Sequence, residues 1–182
     1  KEPAAPLPQL IRGSQQRRDQ VLRVRQLAHI ERRQQAGVVP LRSAVERGHQ
    51  VTVFNRGRAR HDWPAGVEVL VGDRDTDLSA LAARRWDAVV DTCGYLPRQL
   101  RASAAVLQGC ERYLFVSSVS VYASFARRSI GEDEPLADAS AIDPEDRSAA
   151  AYGAQKAACE AVVREAFGPR ALLVRPGLIV GP

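Results

Sequence analysis

The chain has 182 residues, 45% of them hydrophobic, and its 26 Lys and Arg against 21 Asp and Glu give a net charge of +5. That length holds one domain with a sizeable core. No apolar run is long enough to cross a membrane and no apolar h-region marks a signal peptide, so a membrane role is excluded from the expectations.

Residues 1–36 hold eight Lys and Arg and three Asp and Glu, while residues 37–182 hold 18 of each, so the whole excess charge sits in the first segment. It also contains seven glutamines and three early prolines. Val21-Leu22-Arg23-Val24 is the nearest candidate for a strand, but Val21, Val24, Leu27 and Ile30 also make an apolar stripe on a basic helix over 18–35. The segment reads as atypical, disordered or partly helical, and foreign to the domain that follows. A nucleic-acid arm is disfavoured, because no aromatic or fold signature of a binding module accompanies the charge.

From residue 37 onward strands alternate with helices. Arg47-Gly48-His49 reads as a helix end, followed by the β-branched strand Val51-Thr52-Val53-Phe54 and then Asn55 and Arg56. Val67-Glu68-Val69-Leu70-Val71 is the next strand, running into Gly72-Asp73-Arg74, and 77–85 is helical. Asp87-Ala88-Val89-Val90-Asp91 leads into Thr92-Cys93-Gly94, and 97–109 is helical. Arg112-Tyr113-Leu114-Phe115-Val116 ends in the hydroxyls of Ser117 and Ser118. Residues 123–150 contain no clear strand and carry seven carboxylates, which predicts a long functional or disordered loop. Residues 149–167 are a helix rich in Ala and Glu, and Arg170–Val174 is a last strand before Arg175-Pro176-Gly177. This alternation predicts βαβ units and an α/β doubly wound parallel sheet.

Lys1 and Lys156 are the only lysines in a chain that otherwise uses arginine. An ammonium is a compact charge with a tunable pKa, and a guanidinium is not. Lys156 follows Tyr152 by four on the helix, so the two side chains share a face and can approach one target. A neighbouring cation favours a phenolate, which predicts a lowered Tyr152 pKa. The competing reading is an exposed helical pair.

The ordered set Ser117-Ser118-x-x-x-Tyr122, Tyr152-x-x-x-Lys156 and Arg175-Pro176-Gly177 before Val180-Gly181-Pro182 resembles the short-chain dehydrogenase/reductase superfamily, in its extended NAD-dependent epimerase/dehydratase branch. The resemblance runs from about Gly37 to Pro182. It implies a Rossmann-like domain over 37–182, cut before a substrate-binding portion, and hydride transfer with a nicotinamide cofactor. Tyr152 would be the general acid/base, Lys156 would bind the nicotinamide ribose, and Ser118 would hold the reacting oxygen, with Ser117 as substitute if the register slips. Asn55 and Arg56 stand where an acid would read the ribose of NAD, so NADP(H) is favoured over NAD(H). Asp73 would lie beside the adenine, Arg74 next to it either contacts the cofactor or is solvated, and Thr92, Cys93 and Gly94 would border the cofactor. Gly37 would be the last glycine of the diphosphate loop, but its two partner slots hold Glu31 and Gln34, so that fingerprint is absent. The expected ligand is a small molecule, a nucleotide sugar or related hydroxy or keto compound, and a homodimer is the oligomer allowed. The rival is a catalytically inactive remnant or nucleotide sensor of the same fold.

Cys93, Cys110 and Cys159 are odd in number and widely spaced, and the three histidines show no paired spacing, so no metal site is assigned and reduced thiols in the cytoplasm are expected. With no methionine, Lys1 is not an ordinary translation start, and the chain reads as a processed or excerpted piece.

Overall fold

The structure is a computed structural model and describes residues 26–30, 38–58, 62–127 and 129–178. Six strands form one sheet: β1 (Gln26–Ile30), β2 (Gln50–Asn55), β3 (Glu68–Val71), β4 (Ala88–Asp91), β5 (Arg112–Val116) and β6 (Ala171–Val174). Their order is β3-β2-β1-β4-β5-β6, and every neighbouring pair is parallel. The strand order reverses direction after β1, which creates the crevice at the carboxyl edge where ligands of such sheets bind.

Helices cover both faces. On one face α1 (Val38–Glu46) packs Leu41 and Ala44 against Val51 and Val53 of β2. On the other, α2 (Ser79–Ala82), α3 (Pro97–Leu107) and α4 (Tyr152–Phe167) cover Ile30, Phe54, Val89, Tyr113 and Phe115. β2 is therefore buried on both faces, which is why its run reads continuously apolar. The alternate residues of β4, β5 and β6 face away from α3 and α4. Leu172 and Val174 are exposed there.

A strand forms where a helix was expected. Residues 26–30, placed by the apolar stripe on a helix over 18–35, form β1 between β2 and β4. Backbone pairing on both sides and the full burial of Ala28 and Ile30 override a local pattern that carries little β signal. The sheet thus has its central strand, and it is supplied by the segment read as foreign to the domain. Gly37, Glu31 and Gln34 lie outside the described residues.

Arg74 is the second correction: it is buried, not solvated. It gives two parallel hydrogen bonds to Asp91, Nη1 to Oδ1 at 2.8 Å and Nη2 to Oδ2 at 2.9 Å, and a further one to Ser103 Oγ at 2.9 Å. Asp91 also accepts from the Tyr113 hydroxyl at 2.7 Å and from the Cys93 backbone N–H at 3.1 Å. Burial alone would raise the Asp91 pKa, but the Arg74 charge and these bonds outweigh it and hold the carboxyl below its usual value. This cluster ties the turn after β3 to β4, β5 and α3. Removing one partner leaves an uncompensated buried charge, so Asp91→Ala is expected to cost about 3–5 kcal/mol of unfolding free energy by urea denaturation. The double change Arg74→Met with Asp91→Leu should cost clearly less than that.

Candidate functional site

The helix α4 begins at Tyr152 and presents Tyr152, Lys156 and Glu160 at four-residue spacing on one face. Lys156 is buried, and its ammonium donates to the carbonyls of Gly94 at 3.0 Å and Val116 at 2.7 Å. Those carbonyls belong to the segment after β4 and to the last residue of β5. Its charge also stands 4.0 Å from the centre of the Phe115 ring. Burial lowers the Lys156 pKa to about 8. The exposed-pair reading of this lysine is thereby excluded.

Tyr152 is partly buried, and its ring lies 6.3 Å from that of Tyr95. Burial raises its pKa, while the Ser118 hydroxyl pulls the other way. The Ser118 hydroxyl itself donates to Ser120 Oγ at 3.1 Å. The lysine does not depress the tyrosine as expected: burial, Tyr95 and Cys159 push the Tyr152 pKa up.

Ser118 caps the 3-10 turn Val119–Val121, accepting from the Ser120 N–H at 3.1 Å. Ser117 is buried, with its Oγ against Glu160 but short of hydrogen-bond geometry. Of the two serines, Ser118 is the one beside Tyr152. A Cβ on Gly153 would collide with the Ser120 carbonyl, so the first turn of α4 can press this close to the serine turn only with glycine there.

These groups share one cleft of about 580 Å³, lined by Thr92, Ser117, Ser118, Tyr152, Lys156, Pro176 and Gly177, with Val90, Leu114 and Val116 of the open sheet face as its floor. Thr92 is pinned to the end of β1, its N–H and Oγ both donating to the Ile30 carbonyl. Gly94 packs so tightly on Leu100 and Phe115 that a Cβ would clash with both. A second cleft of about 500 Å³ adjoins Tyr152 and is lined by Tyr95, Arg147, Ser148 and Gln155. The loop 123–150 that frames it is held by side chains. Gln155 donates to the carbonyls of Asp143 and Asp146, and Arg98 bridges Glu145 and Asp75.

A third recess, away from Lys156 along the same edge, is lined by Asn55, Arg56, Asp73, Arg74 and Cys93 among others. Here the Asn55 amide oxygen accepts from the Gly57 N–H at 2.8 Å, and Asp73 Oδ1 from the Asp75 N–H at 3.0 Å. The residues expected at the cofactor thus fall into two groups at one sheet edge, apart from Gly37, which lies outside the described residues. Among the described residues no cluster of His, Cys, Asp and Glu could hold a metal.

Residues 95–182 match the NAD dependent epimerase/dehydratase family. Those residues, just under half of the chain, are similar to that family. A UDP-galactose 4-epimerase structure superposes with a TM-score of 0.67 at 22% identity, over 82% of this chain and 55% of that one. The Bordetella bronchiseptica enzyme WbmG, in complex with NAD and UDP, gives 0.63 at 19%, over 84% and 52%. At the sequence level, the chloroplast stem-loop binding protein of 41 kDa b from Arabidopsis thaliana is 29% identical over 127 residues, 61% of this chain. The chain spans about a third of that relative and about half of the two solved structures.

The buried lysine has a stability signature. Lys156 holds its proton less tightly in the folded chain, at about 8, than at its ordinary 10.5, so the unfolded chain binds more protons between those values. Its cost to folding is therefore present below pH 8 and is relieved as pH rises. Cys110 and Cys159, pushed by burial to about 11 and about 12 from 9.0, act oppositely above about pH 9. Between pH 8 and 9 the wild type is expected to gain stability relative to Lys156→Met, by up to about 1.4 kcal/mol per pH unit in paired urea melts. Separately, Gly153→Ala is expected to lower the melting temperature by several degrees, since backbone has to move to admit one methyl group.

Proposed function

We propose that this chain is the cofactor-binding half of a nicotinamide-dependent oxidoreductase, epimerase or dehydratase, with Ser118, Tyr152 and Lys156 as its reactive set. The observation that carries the reading is the convergence of those three residues, Tyr152 and Lys156 from α4 and Ser118 from the turn after β5, on one cleft at the carboxyl edge of the sheet. The edge suits a dinucleotide: a recess with Arg56 and Asp73 at one end, a cleft with Lys156 and Thr92 at the other. The cofactor, when bound, supplies a carbon that gives or takes hydride.

The chain's residues do the rest. Lys156 gives two of its three protons to fixed carbonyls, so its third is aimed rather than free to rotate, and a ribose hydroxyl is its natural acceptor. Tyr152 exchanges a proton with the substrate oxygen, and Ser118 hydrogen-bonds that same oxygen as charge develops on it. A substrate with a hydroxyl or carbonyl carbon fits this chemistry, and nucleotide sugars are the class suggested by the epimerase-like relatives. Arg56 beside the adenosine recess favours NADP(H), since a guanidinium grips a phosphate through paired hydrogen bonds.

Calorimetric titration with NADPH and with NADH tests this. Binding in the micromolar range is expected, and Arg56→Ala should weaken NADPH about tenfold while leaving NADH unchanged. A folded chain that binds neither overturns the reading. A second reading, nucleotide binding without turnover, is favoured by the raised Tyr152 pKa, which leaves its phenolate scarce at neutral pH. Cofactor binding with no hydride transfer to any sugar nucleotide would select it. The name of the Arabidopsis relative raises nucleic acid as a ligand, but residues 37–182 are formally neutral and offer no net electrostatic drive for it.

A further inference from the structure

The side chain of Arg175, just beyond β6, touches both halves of the reactive set's support. Its Nε and Nη2 donate to the two oxygens of Glu160 at 2.9 and 2.7 Å. Glu160 lies on α4 one turn past Lys156 and two past Tyr152, and its side chain is fully buried. The Arg175 Nη1 donates to the Tyr122 hydroxyl and to the Glu132 carbonyl, each at 3.0 Å, with the guanidinium 4.9 Å from the centre of the Tyr122 ring. Tyr122 closes the 3-10 turn that Ser118 opens, its N–H donating to the Val119 carbonyl. The backbone around Arg175 grips the same turn, as the Val174 and Pro176 carbonyls accept from Ser117 and Val119 N–H.

We infer that Arg175 is a positioning residue, which fixes the separation between the Ser118 hydroxyl and the Tyr152 hydroxyl by clamping the serine turn to α4. The contact of Gly153 with Ser120 sets how near the two elements come at one end, and Arg175 closes them at the other. Without the clamp the turn pivots about the glycine contact and Ser118 withdraws. This role rests on the reading that Ser118 and Tyr152 address one oxygen.

Tyr152 itself reports the separation, because Ser118 is the neighbour that opposes the effect of burial on it, while Tyr95 and Cys159 push in the same direction as burial. The chain is labelled with 3-fluorotyrosine, whose phenol ionises at lower pH, and the resonance of residue 152 is assigned by its loss in Tyr152→Phe. Its fluorine titration is then followed in the wild type, Ser118→Ala, Arg175→Lys and Tyr122→Phe. No cofactor or substrate is needed, so this result stands apart from the calorimetric one. Ser118→Ala should raise the midpoint by about half a pH unit, Arg175→Lys by a comparable amount and Tyr122→Phe by a smaller one. A midpoint unmoved in Arg175→Lys and Tyr122→Phe while Ser118→Ala moves it would overturn the clamp. A midpoint unmoved by Ser118→Ala would overturn it too, since no separation would then need setting. Should Arg175→Lys fail to fold, Tyr122→Phe, which deletes one oxygen, decides alone.

Discussion

One ammonium joins two strands to a helix. Lys156 reaches across the carboxyl edge to carbonyls 62 and 40 residues away in sequence, and these lie beyond β4 and at the end of β5. Strand ends in a parallel sheet have unpaired carbonyls to satisfy, and a buried cation needs acceptors, so each solves the other's problem. The depressed pKa measures what the arrangement costs, and the paired carbonyls explain why it is tolerated. Because its partners come from distant segments, this arrangement of Lys156 exists only once β4, β5 and α4 are assembled. Site and sheet should be lost together.

The Arg74 and Asp91 pair performs the same duty further along the edge. It lies between the recess at Asn55 and the cleft at Lys156, holding the turn after β3 against β4. Asp91 then positions the Cys93 N–H, and the next residue, Gly94, supplies a carbonyl to Lys156. The segment from Asp91 to Gly94 is thus fixed by an arginine at one end and a lysine at the other. This rigidity suits a stretch expected to border a dinucleotide along its length.

The parts legible in the sequence were those written locally. β2, β4 and β5 are short apolar or β-branched runs bounded by turn residues, and α4 has a helix composition with a four-residue pairing on one face. The strand β1 could not be read that way. Gln26 to Ile30 has one β-branched residue and lies in the most basic part of the chain, so only its two neighbouring strands identify it. The solvated reading of Arg74 failed for a related reason: an arginine after a Gly-Asp turn looks exposed until Asp91, 17 residues on, is brought beneath it. The Tyr152 pKa failed on direction, since four-residue spacing places two side chains on one face without saying where each ends. Ser118 was chosen over Ser117 from spacing to Tyr122, and in the structure it is Ser118 that stands beside Tyr152.

Gly153 carries no chemistry and sits between two residues of the most conspicuous motif in the chain. Its single hydrogen is nevertheless what lets the helix meet the Ser120 carbonyl. Every other residue adds at least a methyl group at that spot. A chain that keeps both Tyr152 and Lys156 can therefore still lose the fit between α4 and the serine turn through a change at a position whose side chain does nothing.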